Sequence, residues 1–394
     1  MKQNLIFPVF LLITLLLGAC SDEETTSCGV NVQVVFSEGA ATESFDGIKV
    51  VLTNKTGGTV YTSACSSAGV AAFVVEPGDY AASVHYQTTT GVVFNGRIES
   101  LSLLPNTDEA VRTVKLALTQ AKTNALVIKE VYYDGCKGKA GEDYDFDQYI
   151  TLYNNSDETI YLDGLCVAEV DFSHGIGSPW MELDPDMERI PAGYFTWQFP
   201  GNGQDYPLPS GAETTIATNA VNHTAGEYGH QNSVNLSAVD WGFYHPTLKN
   251  VIAPDVKPMT MLLKVGTSNN SGFSMWGPTV MVFALPVSDV PAYVADPANR
   301  EMEPDFWGDP NEMFLMVPRE WIIDCVECVS ADADAGVKRV PAVLDNEPFI
   351  FSSGNYSGKS FVRKKSVATN GRSVYQDTNN SAEDMEISVP LLKQ

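Results

Sequence analysis

Positive charge is the first thing this sequence lacks. Lys and Arg number 24 against 49 Asp and Glu, a formal net charge of −25 over 394 residues, and the basic residues form no long block. Such a charge disfavours nucleic acid and anionic membrane surfaces as partners, so no nucleic acid is expected, while cations and basic protein surfaces fit. Histidine is scarce as well, with five in all. The patterns G-x-S-x-G, H-E-x-x-H and G-x-x-x-x-G-K-[ST] are missing, which removes the nucleophile elbow, the zinc-protease helix and the phosphate-cradling loop. An enzymatic alternative is a hydrolase whose catalytic groups assemble from distant residues. Long apolar runs are missing too: the stretch from Leu5 to Leu17 is short of the roughly 20 residues a membrane span needs.

That short run has another use. Met1-Lys2, the apolar core and Gly18-Ala19-Cys20 together form an export signal. Leu17-Gly18-Ala19-Cys20 resembles the bacterial lipobox, which implies that residues 1–19 are removed and Cys20 is lipidated. Ser21-Asp22-Glu23-Glu24 resembles the surface-export signal of Bacteroidetes lipoproteins. The two resemblances imply a protein anchored in the outer membrane, facing outward, with residues 20–29 as an acidic tether.

Six cysteines remain after Cys20: Cys28, Cys65, Cys136, Cys166, Cys325 and Cys328. An even number in an exported chain points to disulfides, although six cysteines allow 15 pairings. Order along the chain suggests Cys28–Cys65 and Cys136–Cys166. Cys325-Val-Glu-Cys328 fits a short-loop disulfide, a redox pair or half of a metal site, and no second CxxC exists to complete a zinc centre.

From Val30 to Leu118 short alternating strands lie between turn signals: Val30 to Phe36, Ile48 to Asn54, Thr59 to Ala64, Ala71 to Val75, Tyr80 to Tyr86 and Val111 to Leu118. This spacing predicts a small all-β sandwich. Gly47-Ile-Lys-Val-Val-Leu-Thr-Asn54, Ala68-Gly-Val-Ala-Ala-Phe73 and Glu76-Pro-Gly-Asp-Tyr80 resemble the carboxypeptidase regulatory-like domain. That resemblance covers residues 30–119 and implies a transthyretin/Ig-like sandwich that serves as a spacer or docking unit.

Tyr149 to Tyr153 reads as a half-buried strand, with Ile150 and Leu152 on one face and Tyr149, Thr151 and Tyr153 on the other. Asn154-Asn155-Ser156-Asp157 supplies turn residues, and Thr159 to Leu162 begins a second strand, so a hairpin is expected. Leu126-Val-Ile-Lys-Glu-Val131, Asp147 to Asn155 and Ile160-Tyr-Leu-Asp-Gly-Leu165 resemble the lamin-tail domain, an Ig-like sandwich. Ile190-Pro-Ala-Gly-Tyr-Phe195 resembles its next step, a turn feeding a strand, and Arg363 to Gly371 with Tyr375 to Asp384 its closing segment. A lamin-tail-like domain would then span 124–390 around an insertion at about 173–345, expected to form an ordered cap holding any binding site. The whole arrangement is similar to a family of Bacteroidetes surface lipoproteins of unknown function.

Candidate chemistry is sparse. Asp143, Asp145 and Asp147 alternate along an extended stretch and suit calcium, which takes several carboxylate oxygens; a solvated acidic loop is the bland alternative. His223, Glu227 and His230, with His245 and His174 elsewhere, suit a transition metal or are polar residues of a surface loop. Aromatic residues are plentiful between residues 180 and 321. Trp180 and Trp276, next to Gly and Pro, are the expected exposed pair, with Tyr228 and Trp241 as further ligand contacts; the alternative is that most of them fill the core. The expected role is a non-enzymatic capture or accessory subunit of a TonB-dependent uptake system, taking a glycan, peptide or metal complex. An adhesin is the second reading.

Overall fold

The computed structural model describes residues 27–37, 44–105, 111–171, 177–304, 311–366 and 372–393. The signal peptide, Cys20 and the acidic run expected from the sequence lie outside the described residues, as do His174 and Trp307. The chain is all-β; its described residues form three sheets of seven or eight strands, two small two-stranded ones and only short helices. Among the described residues no helix is long and apolar enough to cross a membrane.

Seven strands between Cys28 and Gln120 make the first sandwich: Cys28–Phe36, Lys49–Asn54, Val60–Ala64, Val70–Val75, Gly78–Gln87, Val93–Leu103 and Arg112–Gln120. The first and seventh pair in parallel, Val30 opposite Arg112 through Phe36 opposite Leu118. Period-two alternation buries Cys28, Val30, Val32 and Val34 against Val50, Leu52, Phe73 and Leu116, as expected of strands with one core face. The strand Val93–Leu103 was not expected, because Asn95, Gly96 and Arg97 interrupt its apolar pattern. Gly96 leaves room for Leu116, Ala117 and Leu118 of the same sandwich, while Asn95 and Arg97 are polar because they meet the rest of the molecule. Asn95 Nδ2 donates to the Thr378 carbonyl at 2.6 Å, and the buried Arg97 pairs with Glu99 at 2.8 Å and Glu347 at 2.5 Å.

The larger sandwich has two facing sheets. Across the first lie, in order, Lys257–Pro258, Trp241–Gly242, Glu213–Ala217, Tyr149–Asn154, Leu126–Tyr132, Ser360–Arg363 and Met385–Ser388. The second runs Arg300–Met302, Met313–Pro318, Arg189–Gln198, Leu165–Val170, Thr279–Ala284, Ile322–Ser330 and Phe349–Phe351, with Thr260–Lys264 also beside Arg189–Gln198. Ile128, Ile150, Leu152, Val167, Trp197, Val280, Val282 and Val326 fill the space between them. Residues 173–345 thus supply most of the second sheet and are integral to the sandwich.

Both sheets are covered on their outer faces as well. Behind the second, Met281, Phe283 and Leu315 pack with Trp180 and Met181 of the helix Pro179–Leu183. Behind the first, Tyr132 and Tyr149 pack with Val234, Leu236 and Val256. The strand Tyr149–Asn154 is therefore buried on both faces, not on one. The expected hairpin does not form either. Tyr149–Asn154 pairs with Leu126–Tyr132 and Glu213–Ala217, while Ile160–Tyr161 pairs with Pro207–Leu208. The turn itself is there, with Asn154 Oδ1 accepting from Ser156 N at 3.0 Å, but it carries the chain out of the first sheet.

The expected disulfides are absent: all six described cysteines are free thiols. Cys28 lies opposite Val75, whereas Cys65 precedes the turn that leads into Val70 at the other end of that strand. About five residues at roughly 3.3 Å each separate those ends, far beyond the ~7 Å Cα limit of a bridge. The Cys136 Sγ lies 3.7 Å from Asp147 Oδ2, while Cys166 faces the core behind the second sheet. Cys325 and Cys328 are three apart on one strand, so they point to opposite faces, one into each core.

Buried charge ties the C-terminal part to the sandwich. The Arg363 guanidinium sits 2.8 Å from Asp324 and 3.3 Å from both Asp377 and Asp384, all of them buried. Lys338 pairs with Glu327 in a second buried contact.

Candidate functional site

The strand Arg189–Gln198 changes partner halfway along. Residues 189–192 pair with residues 315–318, and residues 195–198 pair with Thr260–Lys264. On its other edge Ala168 faces Thr196 and Val170 faces Ala192, so residues 193–195 stand against Glu169 alone. Extra residues on one strand make a bulge that bends the ladder and re-aims side chains. Gly193 is required there, because a Cβ at that position would lie 2.9 Å from the Glu169 carbonyl oxygen. The segment expected to be a turn feeding a strand is thus a bulge inside a continuous strand.

A cleft of about 460 Å³ opens over this bulge, within the usual range for a small-molecule site. Its floor and walls come from residues 167–171, from Gly193 to Trp197, from the loop 268–274, and from Asp145, Phe146, Phe243 and Glu303. The loop is fixed before any ligand arrives. Gln148 donates to the Phe273 carbonyl at 2.9 Å and accepts from Phe273 N at 2.8 Å. Asn250 brackets Ser271 in the same way, at 2.7 and 2.8 Å, and Trp197 Nε1 donates to Ser271 Oγ at 3.0 Å. Trp197 also stacks on Phe243 with ring centroids 4.8 Å apart.

Two exposed aromatics belong to the lining. Phe146 and Tyr194, 48% and 47% exposed, line the cleft. Tyr244 and Trp276, also exposed, lie one and two residues along the chain from the lining residues Phe243 and Ser274. Trp276 is thus exposed as expected. Trp180 is not: it is buried, its Nε1 donates to Asp171 Oδ2 at 2.9 Å, and it packs edge-on to Phe314. It orients a cleft carboxylate from behind. Trp241 is a core residue, edge-on to Phe199 and Tyr206.

Carboxylates share the cleft. Asp145, Glu169, Asp171 and Glu303 line it, and the Glu169 oxygens accept from Ser274 N at 3.1 and 3.2 Å. Burial pushes the Asp145 carboxyl up. Burial first, then the negative field of Glu312, Asp171 and Glu303, pushes the Tyr194 phenol up to about 12.

The three aspartates proposed for calcium diverge. Asp143 points outward to Lys137, Asp145 faces the cleft, and Asp147 is buried, accepting from Tyr132 at 3.1 Å and Ser233 at 2.5 Å. Among the described residues no group of three or more metal-ligating side chains converges, so neither this set nor His223, Glu227 and His230 forms a centre. The histidines hold Tyr144 instead. Tyr144 Oη lies 2.5 Å from His223 Nδ1, and its ring centroid is 3.9 Å from that of His230. Burial, foremost, lowers His223 to about 4, so the ring is neutral. Glu227 is exposed, and Tyr228 is half-buried with its ring 5.3 Å from His223. The net effect is to anchor the loop that presents Asp145 and Phe146.

Sequence reasoning missed Phe146, Tyr194, Glu169, Asp171 and Glu303 as a set. One signal was available: a glycine inside a strand pattern, Gly193, marks a bulge or a close approach of backbone.

Residues 209–391 match the family model DUF4876, described as a protein of unknown function. A DUF4876 family protein from Bacteroides thetaiotaomicron has a similar structure, with 24% identity, coverage of 93% of this chain and 97% of that one, and a TM-score of 0.60. At that identity the likeness establishes a shared fold. A DUF3823 family protein from Parabacteroides merdae is 7% identical over 38% of this chain and 69% of its own, with a TM-score of 0.18. A candidate adhesin from Bacteroides ovatus is 12% identical over 66% and 78%, with a TM-score of 0.21. Neither of these two bears on the argument. No curated protein matches the chain.

Proposed function

We propose that this chain is a non-enzymatic ligand-capture protein, held at the surface of a Bacteroidetes outer membrane by lipid on Cys20, and that the cleft over the bulge is its binding site. The observation that carries the reading is a pre-formed cleft with two exposed aromatics in its lining. Phe146 and Tyr194 line it, and the loop beneath is locked by Gln148 and Asn250. Large rings left in water around a rigid concavity are costly unless something covers them. The lipobox and the acidic run supply the address, and a TonB-dependent receptor is the partner that this address suggests.

Binding of the mature protein to glycan and peptide arrays tests the site. Phe146→Ala with Tyr194→Ala should lower the affinity of any captured ligand by at least ~10-fold, since central aromatic anchors carry a large share of binding energy. An array hit that the folded double variant keeps at full strength would place the binding site elsewhere. Purification of the lipidated protein from native membrane tests the partner. A stoichiometric β-barrel transporter supports an uptake role, and a protein that comes down alone favours an adhesin.

A further inference from the structure

The exposed apolar side chains of the first sandwich are not scattered. Its described residues leave four large ones in water, Val60, Val74, Leu104 and Val111, with Val74 74% and Leu104 73% exposed. All four lie at one end. Val74 stands opposite Gly29, next to the pair formed by Cys28 and Val75. Leu104 follows Leu103, which pairs with Gly78, and only Glu76 and Pro77 separate Gly78 from Val75. Val111 precedes Arg112, the residue next to Val30 across the parallel pair. Val60 opens a strand at the same end, opposite Thr53. The strands ending at Leu103 and starting at Arg112, Cys28 and Val70 are consecutive neighbours in the sheet. At the far end, the turn between Gln87 and Val93 exposes Thr89 and Thr90 and no large apolar side chain.

Scattered exposed valines and leucines are ordinary, but a group gathered at one end marks a surface that meets something else. The tether identifies what that is. Cys28 is eight residues on from Cys20, a reach of about 28 Å fully stretched and ~15 Å as relaxed coil. A lipid on Cys20 therefore keeps this end close to the bilayer, so that contact between the two is intramolecular and a weak apolar interaction suffices. Local charge does not oppose the contact, although the chain as a whole carries −25. Among the described residues at this end, Lys55 and Arg112 balance Glu76 and Asp79. Resting on the lipid-anchor reading, we infer that the Cys28 end of the first sandwich sits on the bilayer surface, with Val74, Leu104 and Val111 set among the lipid headgroups. The sandwich is a foot standing on the membrane. Its buried contacts, Arg97 with Glu347 and Asn95 with Thr378, pass that footing on to the larger sandwich.

The experiment places the full lipidated chain on phosphatidylcholine vesicles whose acyl chains carry bromine near the headgroup, a short-range quencher of indole fluorescence. Val74→Trp and Leu104→Trp are compared with Thr89→Trp at the far end, each after subtraction of the wild-type signal. All three positions are exposed, so unchanged melting midpoints are expected and certify the fold. Rings at 74 and 104 should be quenched at least ~3-fold more than the ring at 89, because interfacial apolar groups sit some 5–10 Å into the headgroup boundary.

Equal quenching at the three positions, or none at 74 and 104, overturns the foot. If the protein then still floats with the vesicles and mass spectrometry finds Cys20 acylated, the anchor reading stands without it. Rings at 74 and 104 shielded from aqueous acrylamide yet out of reach of bromine also overturn it, since a second copy of the chain then covers this end. An unmodified Cys20 defeats the anchor reading and the foot together.

Discussion

Two groups of carboxylates in this chain are built in opposite ways. Asp324, Asp377 and Asp384 are buried around Arg363, which reaches all three within 3.3 Å. Asp145, Glu169, Asp171 and Glu303 line an open cleft with no basic side chain among the described lining residues. In the first group the positive charge is part of the chain, and the cluster fastens the strand Ser360–Arg363 and the segment after residue 372 to Asp324 of the second sheet. In the second, the backbone N–H of Ser274 and the Trp180 indole N–H reach Glu169 and Asp171, two of the four acids, at the border of an open cleft. The first arrangement fastens distant segments together inside the protein, and the second lies along a concavity on its surface.

Removing the arginine tests the first half of that contrast hardest. Arg363→Met leaves three buried acids without their partner and should cost about 3–5 kcal/mol, the usual penalty for breaking a buried ion pair from one side. Denaturant unfolding reads it, and a variant of wild-type stability would end the contrast. Asp147 sharpens it from between the two groups. Burial, above all, raises it to about 6, and it faces the hydroxyls of Tyr132 and Ser233, the Cys136 thiol and, farther off, the Lys393 ammonium. A carboxyl raised in the folded state stabilises fully below its unfolded value near 3.8, and that contribution is lost as pH rises through about 6. Relative to Asp147→Asn, the wild type should lose about 2 kcal/mol of unfolding free energy between pH 4.5 and 7.5. Parallel pH profiles for the two proteins would remove Asp147 from the account.

The cleft should respond in the other direction. Phe146→Ala with Tyr194→Ala, proposed above to weaken capture, should move stability by less than about 1 kcal/mol, since both rings are half-exposed and surface changes are usually small. A large drop in melting temperature would make those rings packing residues and weaken the cleft half of the comparison. The smallest expected effect is none. Reducing agent should leave the melting temperature of the mature protein unchanged, because polar networks and cores join the sheets and the described cysteines are free. A lowered midpoint would restore the bridges first expected from chain order.

The fold class was legible because alternation is local: Cys28, Val30, Val32 and Val34 announce a core face without help from the rest of the chain. Pairing was not, since it depends on distant strands. Ile160–Tyr161 pairs with Pro207–Leu208, and nothing near the turn at Asn154 foretells that. Arg97 and Asn95 hid a whole strand, their polarity being explained only by Glu347 and Thr378, far along the chain. Trp180 and Trp276 both sit beside glycine and proline, yet one is buried behind Asp171 and the other is exposed. The cleft residues are single positions on separate elements. Their composition is unremarkable in sequence and one-sided only in space.

The partner change at residues 193–195 also governs how such a site can be retuned. The opening is written in the backbone ladder, by the mismatch between Glu169 and three opposing residues. The rings of Phe146 and Tyr194 are half-exposed at that frame, whereas Phe195 packs against the core. The shape of the opening is thus a property of strand register, and the exposed rings at its rim can change without altering it.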